Sequence, residues 1–277
     1  MKKAIIIIAV FVVIILILFL AGRYRSHRFY KQEIKTLLEG AKDLSGQEFS
    51  YEQLKSLPAP VQRYFRLVLK EGQSCVSKLY LTQKGTFKVG LDKDWVNISG
   101  EQFFSAEPPA FVWQGVTDKF TARDMYLKNE GRLVVRIMNA FKIMQAEGRQ
   151  YDEGELLRWL GESVWFPTNL LPRENLIWKA VDDDHAYLYY KHQGMTLKYL
   201  VTFNEKGEIV RLETTRFIDE QNKETWVGKT SNYETLCGMH VPTRIEAVWV
   251  IDGEEKPYAR FEVIDMNVQP TLEEHVD

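Results

Sequence analysis

Three patterns of apolar and polar residues follow one another along the chain. The first is an unbroken apolar run over residues 4–22, in which fifteen of nineteen residues are Ile, Leu, Val or Phe. As a helix this run measures about 28 Å, close to the hydrocarbon thickness of a bilayer, and its insertion is favoured by roughly 5 to 9 kcal/mol. Residues 1–22 are therefore predicted to be a transmembrane anchor.

A cleaved signal peptide is the competing interpretation, because Lys2 and Lys3 form a positive region before the apolar run. The run is longer than a usual signal core, and Arg23 follows it where a small-residue cleavage site is needed. Arg23 also stands where a lipoprotein requires its lipidated cysteine. The sequence thus predicts an uncleaved single-pass anchor in the cell membrane.

Two signals for the side of the membrane disagree. Five basic residues follow the span within residues 23–35 and two precede it, a count that favours a cytoplasmic domain. A very short basic tail before a strongly apolar run is instead typical of a signal anchor, which exports the domain on its C-terminal side. We expect the soluble domain to be extracytoplasmic.

Helical patterns come next. Residues 23–48 are predicted to form a helical stalk, charged on most faces, that lifts the following domain off the bilayer. Over residues 60–70 apolar residues recur at i, i+3, i+4, i+7 and i+8, between Pro60 and Gly72. Its basic side would suit a membrane-surface helix, but a helix packed on a sheet is the preferred interpretation.

From residue 77 onward the pattern changes to the alternation of β-strands. Strand-like segments recur about every ten to twelve residues in the second half of the chain, separated by turn signals such as Asp252-Gly253. Connections this short join antiparallel neighbours, so residues 77–267 are predicted to form one antiparallel sheet of about nine to eleven strands. The predicted fold class is mainly β with helices (α+β): a curved, half-barrel-like sheet with a plug helix, in one β-rich domain over residues 49–277.

The plug helix is predicted over residues 153–164. Asp152 and Glu155 have the spacing of a capping box at its start, and Pro167 ends it. Its apolar face and the large side chains after it indicate a plug on the concave face of the sheet, with the aromatic residues in a satellite core. The candidate pocket or plug residues are Arg158, Glu162, Trp165, Phe166 and Trp178.

Arg158 and Glu162 lie four residues apart on this helix. A structural ion pair that locks the plug is the preferred interpretation, and a polar anchor inside a ligand cavity is the alternative. The acids at residues 182–184 are interpreted as a solvated turn. His185 and His192 are predicted to point to opposite faces of one strand, and His240 to be structural.

Charge and composition narrow the function. Residues 36–277 carry 29 Lys and Arg against 37 Asp and Glu without a basic stripe, which argues against nucleic-acid binding. Cys75 and Cys237 are too few and too far apart for a metal site or a disulfide framework, while one disulfide and two free thiols both remain open. Nucleophile elbows, phosphate-binding glycine loops and metal-spaced histidine pairs are missing, so no catalytic residue, cofactor or metal is expected.

A longer motif carries a resemblance. The stretch RWLGESVWFPTNLLP at residues 158–172, with PVQRY at 60–64 and PPAFVW at 108–113, resembles an uncharacterised bacterial family of membrane-anchored proteins of unknown function. The resemblance covers most of residues 55–250 and implies no activity, because the family has no established catalytic residues. By architecture alone, a curved sheet with a helix in its mouth also resembles the half-barrel carriers of lipoproteins and lipids.

Three classes of function stay open. The first is a membrane-anchored binding or carrier module for an apolar ligand, such as a lipid or an acyl chain, held in a cavity under the plug. The second is a membrane-tethered interaction or scaffold protein, whose protein partner the sequence does not indicate. The third is an enzyme, favoured only if Glu162 or a histidine lies buried beside a cleft with a perturbed pKa.

Overall fold

The computed structural model describes residues 2–271. Three α-helices lie in this range: α1 (Lys2–Gly40), α2 (Ala59–Val68) and α3 (Arg149–Glu162). Short 3-10 helices are found at Tyr51–Leu54, Ser163–Trp165 and Pro167–Leu170. Met1 and residues 272–277, which the predicted anchor and domain include, lie outside the described residues.

The described residues also form thirteen β-strands in one antiparallel sheet. The strands are β1 (Lys78–Lys88), β2 (Trp95–Ser105), β3 (Ala110–Val116), β4 (Phe120–Leu127), β5 (Glu130–Ile137), β6 (Phe141–Glu147), β7 (Leu176–Ala180), β8 (His185–His192), β9 (Met195–Phe203), β10 (Ile209–Phe217), β11 (Lys223–Leu236), β12 (Met239–Ile251) and β13 (Glu254–Val268). Their order is β6-β5-β4-β3-β2-β1-β13-β12-β11-β10-β9-β8-β7. The predicted fold class is confirmed.

The predicted number of nine to eleven strands is wrong, because three of the thirteen strands lack a clear alternation. β6 lies at one edge of the sheet with nearly all of its residues exposed, and β7, at the other edge, has only five residues. β5 is apolar on both faces, because Leu133 and Val135 pack against the main core on one face while Val134 is buried on the other. Edge position and cover on both faces each remove the period of two on which strand prediction depends.

Irregular pairing bends the sheet. The register shifts between β1 and β13, β5 and β6, β9 and β10, and β12 and β13. An extra residue at such a point increases the local twist and bends the strand. α3 connects the two edge strands, β6 and β7, and lies across the concave face, where it contacts β4, β5, β9 and β10.

The main core fills much of the concave side. Leu156, Leu157 and Leu160 of α3 and the following Trp165 are all buried in it, as predicted. The expectation of a separate satellite core is wrong, because Trp178 and the other aromatic residues belong to the same apolar cluster as the strands. The plug helix and the sheet therefore share one hydrophobic core.

α2 contributes to the same core. Val61, Tyr64, Phe65 and Val68, which recur at helical spacing, are all buried against the sheet side. The prediction of a helix packed on a sheet, in preference to a membrane-surface helix, is therefore confirmed.

The predicted capping box of α3 is wrong. The helix begins earlier, at Arg149, after Gly148, whose positive φ of 111° reverses the chain. Asp152 is inside the first turns, and its Oδ1 accepts a hydrogen bond from the backbone N–H of Gly131 at 2.7 Å. Glu155 points into the interior instead of capping the helix.

α1 is one continuous helix of 39 residues, so it passes through the predicted boundary at residue 22 without a break. In its second half Tyr30, Ile34 and Leu37 are buried against Val112 and Met125 of the sheet. Val112 and Met125 alternate with residues that face the concave core, so α1 lies on the convex face. The segment predicted to lift the domain off the bilayer instead packs along the sheet.

Arg123 on β4 holds α1 in place. Its Nη1 donates to Glu33 Oε2 at 2.9 Å, and its Nη2 donates to the carbonyl of Ser26 at 3.1 Å. The guanidinium also lies 4.8 Å from the ring centroid of Tyr30. Burial lowers the pKa of Arg123 while Glu33 raises it, so the ion pair with Glu33 offsets part of the cost of burying the charge.

Candidate functional site

A cavity of about 290 Å³ lies between α3 and the concave face of the sheet. This volume is near the lower end of the roughly 300 to 1,000 Å³ range of ligand pockets. The lining is mostly aromatic and aliphatic: Phe87, Ile98, Trp113, Phe120, Leu133, Val164, Trp165, Leu212, Trp226 and Phe261. The concave side is therefore hollow here, although it is filled around α2.

Several lining side chains are only half-buried. Phe87, Phe120, Leu133, Trp226 and Phe261 pack against the core but keep part of their surface exposed. Aromatic rings exposed together at a cavity form an apolar surface that water solvates poorly. Because these lining side chains are partly exposed, the cavity opens to solvent where they lie.

Charged side chains gather where α3 meets the sheet. Those that line the cavity there are Asp124, Glu155, Arg158, Glu162 and Arg216. They come from α3 and from two strands, β4 and β10, that lie far apart in the order of the sheet. The group, called the charged cluster below, connects the plug helix to both halves of the sheet.

Arg158 is the centre of the charged cluster. Its Nε donates to Glu162 Oε1 at 2.9 Å and its Nη1 donates to Asp124 Oδ2 at 2.6 Å. The guanidinium lies over the rings of Phe111 and Trp113, 4.9 and 5.1 Å from their centroids. Burial opposes the charge of Arg158, but the two carboxylates together raise its pKa. Arg158 therefore stays charged inside a largely apolar wall.

Glu162 has a second partner. Gln102 on β2 donates from its Nε2 to Glu162 Oε2 at 2.7 Å. Burial raises the pKa of Glu162, while Arg158 and Gln102 act in the opposite direction. Both oxygens of this carboxylate are thus engaged by protein groups.

Glu155 and Asp124 form the least compensated part of the charged cluster. Arg216 donates from its Nη2 to Glu155 Oε1 at 3.1 Å. Burial, followed by the charge of Asp124, raises the pKa of Glu155 to about 8. Among the described residues no donor faces the buried atoms Asp124 Oδ1 and Glu155 Oε2. A proton held by Glu155 and directed at Asp124 would satisfy both atoms.

The predicted site residues separate into two groups. Arg158, Glu162 and Trp165 line the cavity. Phe166 and Trp178 do not: both are buried in the packed core, Phe166 with its ring centroid 5.3 Å from that of Phe104. The Trp165 indole donates to the carbonyl of Pro242 at 3.0 Å, which fixes one wall of the cavity.

Sequence reasoning missed Asp124, Glu155 and Arg216. A signal for Glu155 was present, because residues 155, 158 and 162 are spaced i, i+3 and i+7 and so share one face of α3. Asp124 lies in phase with inward-facing Ala122 and Tyr126. Without the strand phases, neither Asp124 nor Arg216 can be assigned to the interior.

His185, His192 and His240 lie away from the cavity lining. His185 contacts Asp182 at 2.8 Å, His192 contacts Asn129 at 2.8 Å, and His240 lies 3.4 Å from Glu208. Within residues 2–271 no group of His, Cys, Asp or Glu is arranged to hold a metal ion. Both cysteines are free, Cys75 half-buried and Cys237 exposed.

The cavity lies toward the end of the sheet that meets the apolar part of α1. Phe120 in the lining pairs in register with Ile137, at the end of β5. The turn after Ile137 touches α1, since a Cβ atom on Gly22 would lie 3.0 Å from the carbonyl oxygen of Ala140. The part of α1 before Gly22 is long and apolar enough to cross a membrane, and none of its most apolar stretch is buried within the protein.

The fold and the site together define a class: a curved antiparallel sheet, open at its two edges, with a helix across its concave face and a cavity between the two. The chain belongs to a family of unknown function, DUF6544, whose sequence profile matches residues 47–261. The expectation of an uncharacterised family agrees with this membership. No curated protein matches the sequence.

Three solved structures show a distant likeness. A domain from Vibrio parahaemolyticus that is assigned to outer membrane lipoprotein sorting has 7% identity and a TM-score of 0.40, covering 70% of this chain and 86% of its own. A LolA superfamily protein from Nitrosomonas europaea has 10% identity and a TM-score of 0.37, covering 79% and 96%. A DUF1329 family protein from Desulfovibrio piger has 9% identity and a TM-score of 0.31, covering 70% and 86%. Likenesses of this size say nothing about what this chain binds.

Proposed function

We propose that the protein is a membrane-anchored binding or carrier-like module for an apolar ligand, a lipid or an acyl chain. The observation that carries this proposal is the cavity under α3, with its lining of aromatic and aliphatic side chains. A cavity of this composition favours an apolar occupant, because transfer of apolar surface out of water contributes about 25 cal/mol per Å². Residues 1–22 serve as the anchor in this proposal.

The position of the open side supports a ligand taken from the bilayer. Phe120 and the neighbouring β5–β6 turn are close to the point where the apolar part of α1 ends. An acyl chain that leaves the bilayer at this level first meets Phe120, one of the half-buried rings that line the cavity. We assign the domain to the extracytoplasmic side in this proposal, as the signal-anchor pattern predicts.

The charged cluster has a structural part in this function. Arg158 and Arg216 are compensated by carboxylates, so neither offers a free charge to a ligand deep in the cavity. Their bonds join α3 to β4 and β10 and keep the plug at a fixed distance from the sheet. The part of the ligand that enters the cavity is therefore expected to be its hydrocarbon chain.

Catalysis is the second candidate, and one observation favours it. Glu162 and Glu155 are buried beside the cavity, and burial raises the pKa of each. Both carboxyl groups, however, already have protein partners in Arg158, Gln102 and Arg216. These contacts, together with a proton held by Glu155 and directed at Asp124, account for the cluster without a substrate, so the carrier function stands first.

The test uses the full chain in phosphatidylcholine liposomes that contain a phospholipid with a diazirine near the end of its acyl chain. After irradiation, mass spectrometry identifies the crosslinked peptides. We expect crosslinks in the membrane run at residues 4–22 and also in peptides that contain Phe87 or Trp226. The crosslinks to residues 4–22 serve as the internal reference for labelling.

Two variants, each replacing one alanine with phenylalanine, give this experiment a matched test and control. Ala247→Phe places a ring in the cavity, whereas Ala180→Phe places the same ring on the exposed surface of β7. We expect the first variant to lose the cavity crosslinks and the second to retain them. Crosslinks confined to residues 4–22 in all three proteins would leave the scaffold function in front.

A further inference from the structure

A second pocket lies on the convex face, on the opposite side of the sheet from the cavity. It has a volume of about 450 Å³ and is formed by α1 together with β4, β5 and β6. Five basic side chains and one carboxylate line it: Arg25, Arg123, Arg132, Arg136, Lys142 and Glu33. Such a concentration of positive charge is unusual in a domain whose overall charge is negative, which indicates a binding site for an anion.

The pocket is level with the end of the apolar run of α1. Gly22 is part of its lining, and its α-carbon approaches Ala140 so closely that a Cβ would lie 3.0 Å from the Ala140 carbonyl oxygen. One turn earlier, the ring centroid of Phe19 lies 6.4 Å from that of Phe141. If residues 4–22 span the bilayer, the pocket therefore lies where lipid headgroups are found.

Only part of the positive charge is compensated within the protein. Arg123 forms the ion pair with Glu33 at 2.9 Å, and Arg132 lies 3.5 Å from Glu130 and 3.6 Å from Glu147. Within residues 2–271, Arg25, Arg136 and Lys142 form no ion pair with a carboxylate. Three like charges at one pocket repel one another unless an anion is bound between them.

The surroundings of the pocket are apolar on the side of β6. Met138, Phe141 and Ile143, in or next to the turn that carries Ala140 and Lys142 of the pocket, are all exposed. Exposed apolar side chains beside a basic pocket match the two parts of a phospholipid, with the phosphate in the pocket and acyl chains along the edge.

We propose that this pocket binds the phosphate headgroup of an anionic phospholipid in the membrane that holds the anchor. The inference rests on the anchor in the proposed function but not on the apolar cavity. Arginine side chains suit this role because their planar donors match phosphate oxygens. The bound headgroup holds the α1 side of the sheet at the membrane surface, so that the cavity on the other face keeps a constant height above the bilayer.

The test measures lipid selectivity of the full chain. Protein in detergent receives an equimolar mixture of phosphatidylglycerol and phosphatidylcholine, and native mass spectrometry counts the lipids that remain bound. We expect about a tenfold preference for phosphatidylglycerol, decreasing as the salt concentration rises. Arg136→Gln should reduce the preference severalfold, and Arg25→Gln combined with Lys142→Gln, which are exposed positions, should reduce it without affecting folding.

A matched control removes the same charge elsewhere. Arg244→Gln combined with Arg260→Gln changes two basic residues on the convex face of β12 and β13, far along the sheet from the pocket. This control should keep the preference of the unchanged protein. Equal binding of the two lipids by the unchanged protein, or an equal loss in the control, overturns the inference.

Two further measurements distinguish a lipid headgroup from free phosphate as the bound anion, and test the membrane anchor separately. Displacement of bound phosphatidylglycerol by millimolar inorganic phosphate identifies a free-anion site instead of a lipid site and overturns the proposal. Extraction of membranes at alkaline pH reports on the anchor independently: release of the chain removes the anchor and this inference with it. Retention of the chain without lipid selectivity removes only this inference and leaves the cavity proposal intact.

Discussion

The buried carboxyl group of Glu155 makes the stability of this protein depend on pH in a direction opposite to that of most acids. Its pKa is raised to about 8 from an ordinary value of 4.5. Between these values the folded chain holds a proton that the unfolded chain has released. Stability is therefore fully present below about pH 4.5 and is lost as the pH rises toward 8, by up to about 1.4 kcal/mol per pH unit.

The perturbation that isolates this effect is Glu155→Gln. The amide keeps an oxygen that accepts from Arg216 and supplies an N–H directed at Asp124, but it does not titrate. Between pH 5 and pH 8 the stability of the variant relative to the unchanged protein should increase by about 4 kcal/mol. For a domain of this size that corresponds to a difference in melting temperature of roughly 8 to 16 °C.

Intrinsic tryptophan fluorescence of the full chain in detergent follows this change. Melting curves are recorded at half-unit steps from pH 5 to pH 8 for the unchanged protein, Glu155→Gln and Glu153→Gln. Glu153 lies on the same helix and pairs with Lys223 outside the cavity, so its variant controls for surface charge on α3. A difference between Glu155→Gln and the unchanged protein that stays constant across this range would refute the shared-proton arrangement.

Three further predictions address the plug, α1 and the side of the membrane. Trp165→Ala removes a fully buried ring and its bond to Pro242, and should lower the melting temperature by roughly 6 to 20 °C; an unchanged value would show that the plug does not stabilise the fold. A chain that starts at residue 23 should be more stable and less prone to aggregate than one that starts at residue 49, because the shorter chain exposes Val112 and Met125; equal melting curves and equal light scattering would contradict this packing. The exposed thiol of Cys237 should react with a membrane-impermeant maleimide on intact cells, with Cys237→Ser as the control for Cys75, and labelling only after lysis would place the domain in the cytoplasm.

The parts of the fold that could be predicted are those in which a local pattern decides the structure. The Asp252-Gly253 turn joins β12 to β13 as a hairpin, with both residues at positive φ, because these residue types tolerate that conformation. The helical spacing of Val61, Tyr64 and Phe65 likewise predicts α2, because these residues form one apolar face whatever surface the helix packs against.

The remaining features depend on contacts between distant segments. The charged cluster requires that Asp124 and Arg216, 92 positions apart, reach the same helix, and no local pattern encodes that approach. The packing of α1 on the sheet was missed for a similar reason. Its buried residues, Tyr30, Ile34 and Leu37, are interspersed with charged ones and become a face only beside Val112 and Met125.

The pairing of β1 with β13 constrains how the protein is made. β1 is the first strand to leave the ribosome and β13 is the last, yet each lies in the middle of the sheet. Two meanders can form as they emerge, but one edge of β1 stays without its partner until residue 268 has been synthesised. Such an edge attracts other strands, so the nascent chain is vulnerable to wrong pairing until its last strand arrives. Premature termination before β13 thus leaves the two half-sheets without the strand that pairs with both of them.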